Sequence, residues 1–274
     1  MNSGPQDPSE LAPGALEPIR SALLHDGVAL VPGIVPVELC LAACDAIDAW
    51  SSNLTDTAAG RRHAHGGLVP LNQHPEFWAI RQHPAVYVLF RALLGTPFLW
   101  VTVDEGVLEP AGSNCSDDEC FRWPLDPRVG GRHLRGMVIL SDAREDSGLF
   151  RCVPHIFRNP DPWWSIYGIE PIPTSRIRSD QVLSVRGDVG SLIIWDARMP
   201  TARGPNNSPL DRYAMHLAMD QEGDDERRAE RLKNFDEGLP PAWARRLPGQ
   251  PIPGSLGEPK LSDLGERLLG RTPW

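Results

Sequence analysis

The chain has 274 residues, 41% of them hydrophobic, which suits one large domain of ordinary soluble, globular composition. A formal charge of −9 excludes a nucleic-acid-binding role built on clustered Lys and Arg, and leaves small molecules or proteins as partners. No run approaches the roughly 18 apolar residues of a membrane span, the first residues lack the basic start and apolar stretch of a secretory leader, and five cysteines fit reduced thiols better than a disulfide framework, so a cytoplasmic location is expected.

In chain order, residues 1–13 are polar and proline-rich and are expected to be disordered, with a single domain over 14–274. Helical spacing predicts a helix over Ala15–Leu24, a short strand at Val28–Val31 and a second helix over Pro36–Trp50, where Val37, Leu41, Cys44 and Ile47 recur every three or four residues. Cys40 and Cys44 then read as core residues. Between Ser51 and Gly67 a loop carries His63 and His65, but no nearby Cys, Asp or Glu completes a metal set. Pro75–Leu94 reads as one or two helices and Leu99–Val107 as an alternating strand. Cys115–Cys120 lies in an acidic loop without a second cysteine pair, so a solvated loop is a better account than a zinc site.

Strand-like runs follow between Arg122 and Val153, most apolar at Leu134–Leu140, and Pro160–Tyr167 reads as a short aromatic helix. Further strands are expected at Gln181–Arg186, Leu192–Trp195 and Arg212–Met219, with a turn-rich Gly-Pro-Asn-Asn-Ser-Pro segment before the last. The tail should hold a helix over Asp224–Leu232, an extended wrap over Leu239–Pro253 and a final helix over Leu261–Leu269. Helices, then about eight short strands with Gly and Pro turns and no βαβ alternation, predict a mostly β (α+β) class: an antiparallel double-sheet barrel buttressed by helices.

One residue stands out. Arg212 opens an otherwise apolar strand, where a guanidinium must find an anionic partner or water. Strand alternation puts Ala214 and His216 on its face.

Six segments, beginning at Phe77, Leu99, Gly136, Phe150, Gly187 and Leu261, resemble in order those of phytanoyl-CoA dioxygenase-like proteins of the iron/2-oxoglutarate dioxygenase superfamily. The resemblance spans nearly all of the chain after residue 20 and implies a double-stranded β-helix (jelly roll, cupin-like). Active members hold Fe(II) with two His and one carboxylate, the first two as a His-x-Asp unit. Here the matching segment is Phe121-Arg122-Trp123-Pro124, so the histidine position is Arg122 and the aspartate position is Pro124. The third histidine, eleven residues before the oxoacid-binding arginine, is Thr201, while Arg212 keeps the arginine. Pro offers no donor, Thr is a poor Fe(II) ligand and Arg does not give up its proton. A unit charge 4 Å from a dication costs about 8 kcal/mol at an effective dielectric near 20. No metal is expected at these positions, and among the barrel histidines neither His133 nor His216 has the spacing to replace them.

What remains is a candidate anion site and candidate acids and bases. Arg212 is expected to hold 2-oxoglutarate or another carboxylate, with Arg122 and Arg135 as added cations, although Arg122 pairing outward with Asp117, Asp118 or Glu119 is an equal alternative. His216 and Glu105 are the candidate catalytic groups, a core histidine satisfied by a backbone carbonyl being the plainer alternative for the first. Trp123 and Trp195 are expected to wall the cavity. Three functions fit: a metal-independent, redox-silent enzyme isomerising, cyclising or eliminating on an anionic small molecule of secondary metabolism; an inactive pseudoenzyme forming a heteromer with an active dioxygenase, or a homo-oligomer; and a dioxygenase with a non-standard iron site.

Overall fold

The run Leu192–Asp196 lies in a six-stranded antiparallel sheet with every residue buried. Strands read as unbroken apolar runs when both faces are covered, and here helices cover one face and a second sheet the other. The computed structural model describes residues 14, 16–53, 67–113, 120–247, 250–251 and 255–274. Its strands are β1 (Val28–Val31), β2 (Leu68–Val69), β3 (Leu99–Val101), β4 (Gly106–Glu109), β5 (Cys120–Phe121), β6 (Leu134–Ile139) and β7 (Phe150–Cys152), then β8 (Ile172–Pro173), β9 (Leu183–Val185), β10 (Leu192–Asp196), β11 (Thr201–Arg203), β12 (Arg212–His216) and β13 (Met219–Gln221). The helices are α1 (Leu16–His25), α2 (Val37–Asn53), α3 (Pro75–Arg81), α4 (Pro84–Leu94), α5 (Pro154–Arg158), α6 (Asp161–Tyr167), α7 (Asp225–Asp236) and α8 (Asp263–Leu269).

The large sheet runs β1-β10-β6-β12-β4-β2 and the smaller one β11-β7-β9; β13 pairs with β3 and β5 with β8. Residues of α1, α2, α3, α4 and α8, among them Ile19, Ile47, Phe77, Leu89 and Leu268, pack with Val138 and Leu192 of the large sheet. A second cluster, with Val107, Met137, Trp195 and Ala214 from the large sheet and Phe150, Cys152 and Val185 from the smaller one, fills the space between the sheets. This is the mostly β jelly roll with flanking helices that the sequence implies. The central strand β6 comes so close to the loop after β12 that a Cβ at Gly136 would collide with the carbonyl of Leu217.

Several boundaries differ from the sequence reading. The expected strand Leu99–Val107 is two strands in two sheets, and both are buried throughout rather than alternating, because helices and barrel interior cover both their faces. Likewise the run Arg212–Met219 breaks at Leu217 and Ala218, and its end pairs with β3. The short helix α5, opened by Pro154, was not anticipated, and the proline-rich wrap contains a 3-10 turn at Ala244–Arg246. Residues 1–13, His63, His65 and Cys115 lie outside the described residues. No helix among the described residues is long and apolar enough to cross a membrane.

Candidate active site

Pleating decides which side chains face the barrel interior. Arg212, Ala214 and His216 share one face of β12, and the antiparallel register sets Arg212 opposite Glu109 and Ala214 opposite Val107. The same pairing extends one step beyond β4, where the His216 amide donates to the Glu105 carbonyl at 3.0 Å. Two carboxylates on one strand therefore meet two nitrogen bases on the next. Nδ1 of His216 lies 2.7 Å from Oε1 of Glu105. The Arg212 guanidinium engages Glu109 side-on, Nε to Oε2 at 3.2 Å and Nη2 to Oε1 at 3.1 Å. Four residues of strand separate the pairs, roughly 13 Å.

Both pairs flank a cavity of about 360 Å³. Its walls include His216, Trp195, Arg212 and Arg203 together with Thr201 and Arg122. Trp195 meets the His216 ring at 6.5 Å between centroids, steeply inclined. The His216 side chain is 30% exposed and Glu105 lies buried behind it. Burial alone would lower the imidazole pKa, but the Glu105 carboxylate outweighs it and the net direction is upward. Burial would conversely raise Glu105, and the facing imidazolium outweighs that too, holding the carboxyl below its usual range. Each group thus favours the charged form of the other. Behind it Asp104, raised chiefly by burial, accepts from the Thr102 hydroxyl.

The degenerate ligand positions also come together in part. Arg122 and Thr201 are cross-strand partners, each amide donating to the other's carbonyl at 2.9 Å, and both line the cavity; Asp117, Asp118 and Glu119, the outward alternatives for Arg122, lie outside the described residues. Pro124 is exposed and is not part of the wall. Three expectations need correction. Trp123 alternates away from the cavity and packs against Trp164, 6.0 Å between ring centroids, in a separate cluster with Phe121 and Ile172. Arg135 is drawn off to Asp220 at 3.9 Å on the rim, with Arg227 also 3.7 Å from that carboxylate, and does not line the cavity. Glu105 reaches His216 rather than the cavity itself. Trp195 lines the cavity, with Phe150 4.6 Å away between ring centroids. His133 is turned to the Gly130 carbonyl at 2.9 Å.

Two residues escaped the sequence reading. Glu109 is the first: counting by twos from Glu105 puts it on the inner face of β4. Arg203 is the second, two residues after Thr201 on β11, with Nη1 3.8 Å from Glu109 Oε1. Gly67, at φ +77°, leaves room for that guanidinium, since a Cβ there would sit 2.7 Å from it.

The donors present do not fit Fe(II). Arg122 and Thr201, which the resemblance sets at ligand-histidine positions, offer a guanidinium and a neutral hydroxyl rather than imidazoles.

No family profile and no curated protein matches the sequence. Solved structures do match. The epimerase SnoN, described as non-heme and alpha-ketoglutarate dependent, from nogalamycin biosynthesis and solved with Fe3+, alpha-ketoglutarate and nogalamycin RO, is 19% identical with a TM-score of 0.58, over 92% of this chain and 98% of that one. EvdO2 from Micromonospora carbonacea var. aurantiaca is 18% identical, TM-score 0.58, over 78% and 96%. The non-heme alpha-ketoglutarate-dependent carbocyclase SnoK is 15% identical, TM-score 0.54, over 92% and 98%. The chain thus carries the fold that SnoN, EvdO2 and SnoK share.

Proposed function

We propose that the chain is a metal-independent enzyme that moves protons on an anionic small molecule of secondary metabolism, in an isomerisation, cyclisation or elimination. The observation that carries this reading is the His216–Glu105 contact of 2.7 Å at the cavity wall. With Nδ1 committed to Glu105, Nε2 is the ring nitrogen left for a substrate. The imidazolium donates its Nε2 proton to a substrate atom, and Glu105 keeps Nδ1–H oriented and stabilises the charged ring before transfer. The neutral imidazole then takes a proton back at Nε2, so no net oxidation occurs. Glu105 is a positioning residue in this scheme. Arg203 and Arg122 on the facing wall attract an anionic substrate, and Trp195 supplies a flat apolar surface beside His216.

The likeness to an epimerase and a carbocyclase of nogalamycin biosynthesis supports a substrate-reshaping role in secondary metabolism, and the resemblance to phytanoyl-CoA dioxygenase-like proteins supports descent of the scaffold from iron enzymes. The arginine at the first ligand position supports chemistry without iron. The deciding experiment incubates the protein with pooled small acidic metabolites in D2O and a strong chelator. Mass spectrometry should show deuterium entering one metabolite with wild type and not with His216→Gln. Turnover that appears only with added Fe(II) and 2-oxoglutarate, with oxygen consumed, would overturn the reading.

A further inference from the structure

The guanidinium of Arg212 is 1% exposed and the Glu109 carboxylate 2% exposed, so this is a buried, closed ion pair at the inner end of the cavity. Nε donates to Glu109 Oε2 and Nη2 lies within ion-pair distance of Oε1, so Glu109 occupies the edge that would give an incoming carboxylate a two-point grip. The position of the carboxylate is built in from three sides. The register of β12 on β4 puts the two Cα atoms opposite each other. Asn206 anchors the Glu109 carbonyl through Nδ2 at 2.8 Å. Gly148, at φ +73°, lies so close that a Cβ there would collide with Glu109 Oε2.

From this geometry we infer that Glu109 is the resident carboxylate of Arg212 and fills from within the chain the place that a dicarboxylic oxoacid would otherwise take. Among the described residues Nη1 and Nη2 make no hydrogen bond, but Nη2 already lies 3.1 Å from Glu109 Oε1, and an external carboxylate would approach both nitrogens against the charge of Glu109. The cavity therefore does not bind 2-oxoglutarate, and the retained arginine serves the barrel's own ion pair. The inference stands on the salt bridge and is independent of the proton-transfer chemistry at His216.

The test is calorimetric titration of 2-oxoglutarate into the full chain, beside thermal unfolding of Glu109→Ala in acetate and in chloride at equal ionic strength. Wild type should show no saturable binding below about 1 mM. Removing the side chain leaves Arg212 buried without its anion, so acetate, small enough to enter the gap, should raise the melting temperature of the variant saturably where chloride does not, and should leave wild type unmoved. Sub-millimolar binding of 2-oxoglutarate to wild type that is lost in Arg212→Met overturns the inference, as does a Glu109→Ala protein that responds equally to both salts. If Glu109→Ala does not fold, Glu109→Gln, which keeps the shape and removes the charge, should gain at least about tenfold in 2-oxoglutarate affinity; no gain overturns it.

Discussion

Glu105 and His216 titrate against each other, and the sign of each effect is fixed by its direction. The raised imidazole contributes stability that is complete below the ordinary histidine range and is lost as pH rises through its folded value; the lowered carboxyl contributes stability present above the ordinary glutamate range and lost as pH falls through its folded value. Between these limits the pair is fully charged. Glu105→Gln should therefore move the NMR titration of the His216 ring to lower pH, and with it the alkaline limb of any activity that depends on the imidazolium; an unmoved ring would mean the carboxylate is not its partner in solution. At the other pair, Arg212→Met leaves the buried Glu109 carboxylate to Arg203 at 3.8 Å and should cost about 3 kcal/mol in urea unfolding, whereas the double variant Arg212→Met with Glu109→Gln should recover most of that loss. Sequence alone exposed Arg212 and His216, because a charge or an imidazole in an apolar strand is conspicuous. It did not expose Glu109, since a glutamate at a strand end reads as a solvated residue until the partner strand is known.

Among the strands, β6 carries a steric demand set by backbone. Gly136 sits where the strand passes under the Leu217 carbonyl, a backbone atom that cannot swing aside. Gly136→Ala should cost about 1–3 kcal/mol in equilibrium unfolding, with the loss confined to stability if the flanking strands shift to admit the methyl. Strand and helix positions were legible where a pattern has marked ends: α2 by its periodicity, β1 and β10 as short apolar runs bounded by turn residues. They were misread where two buried strands follow closely: the segments around Val101 and Val107 carry no period or turn signal to mark where one strand stops and another begins. Trp123 was misplaced for a related reason, because a one-residue uncertainty in a two-residue strand reverses the face.

Over the whole molecule, the first and last described helices meet one apolar cluster: α1 lies on β1 and β10 of the large sheet and α8 on β3, and Trp274 stacks on Tyr87 with ring centroids 5.0 Å apart while its Nε1 donates to Leu99 O at 3.1 Å. Removing residues 261–274 should lower the calorimetric melting temperature by several degrees or more and weaken the barrel as a unit rather than fray one edge, since Leu268 and Leu269 leave with the segment. The fold class was legible from the order of helices and short strands; the way the ends close on one core was not, because it depends on long-range packing. The opposed carboxylates and bases of β4 and β12 bear lastly on how the chain assembles. A slip of two residues between these strands would preserve every inward and outward face, so the apolar pattern alone does not forbid it. Such a slip would set Glu109 against Ala214 and leave buried charges without counterparts, a misfold that the electrostatic ladder penalises at both ends and so removes from the competing pairings.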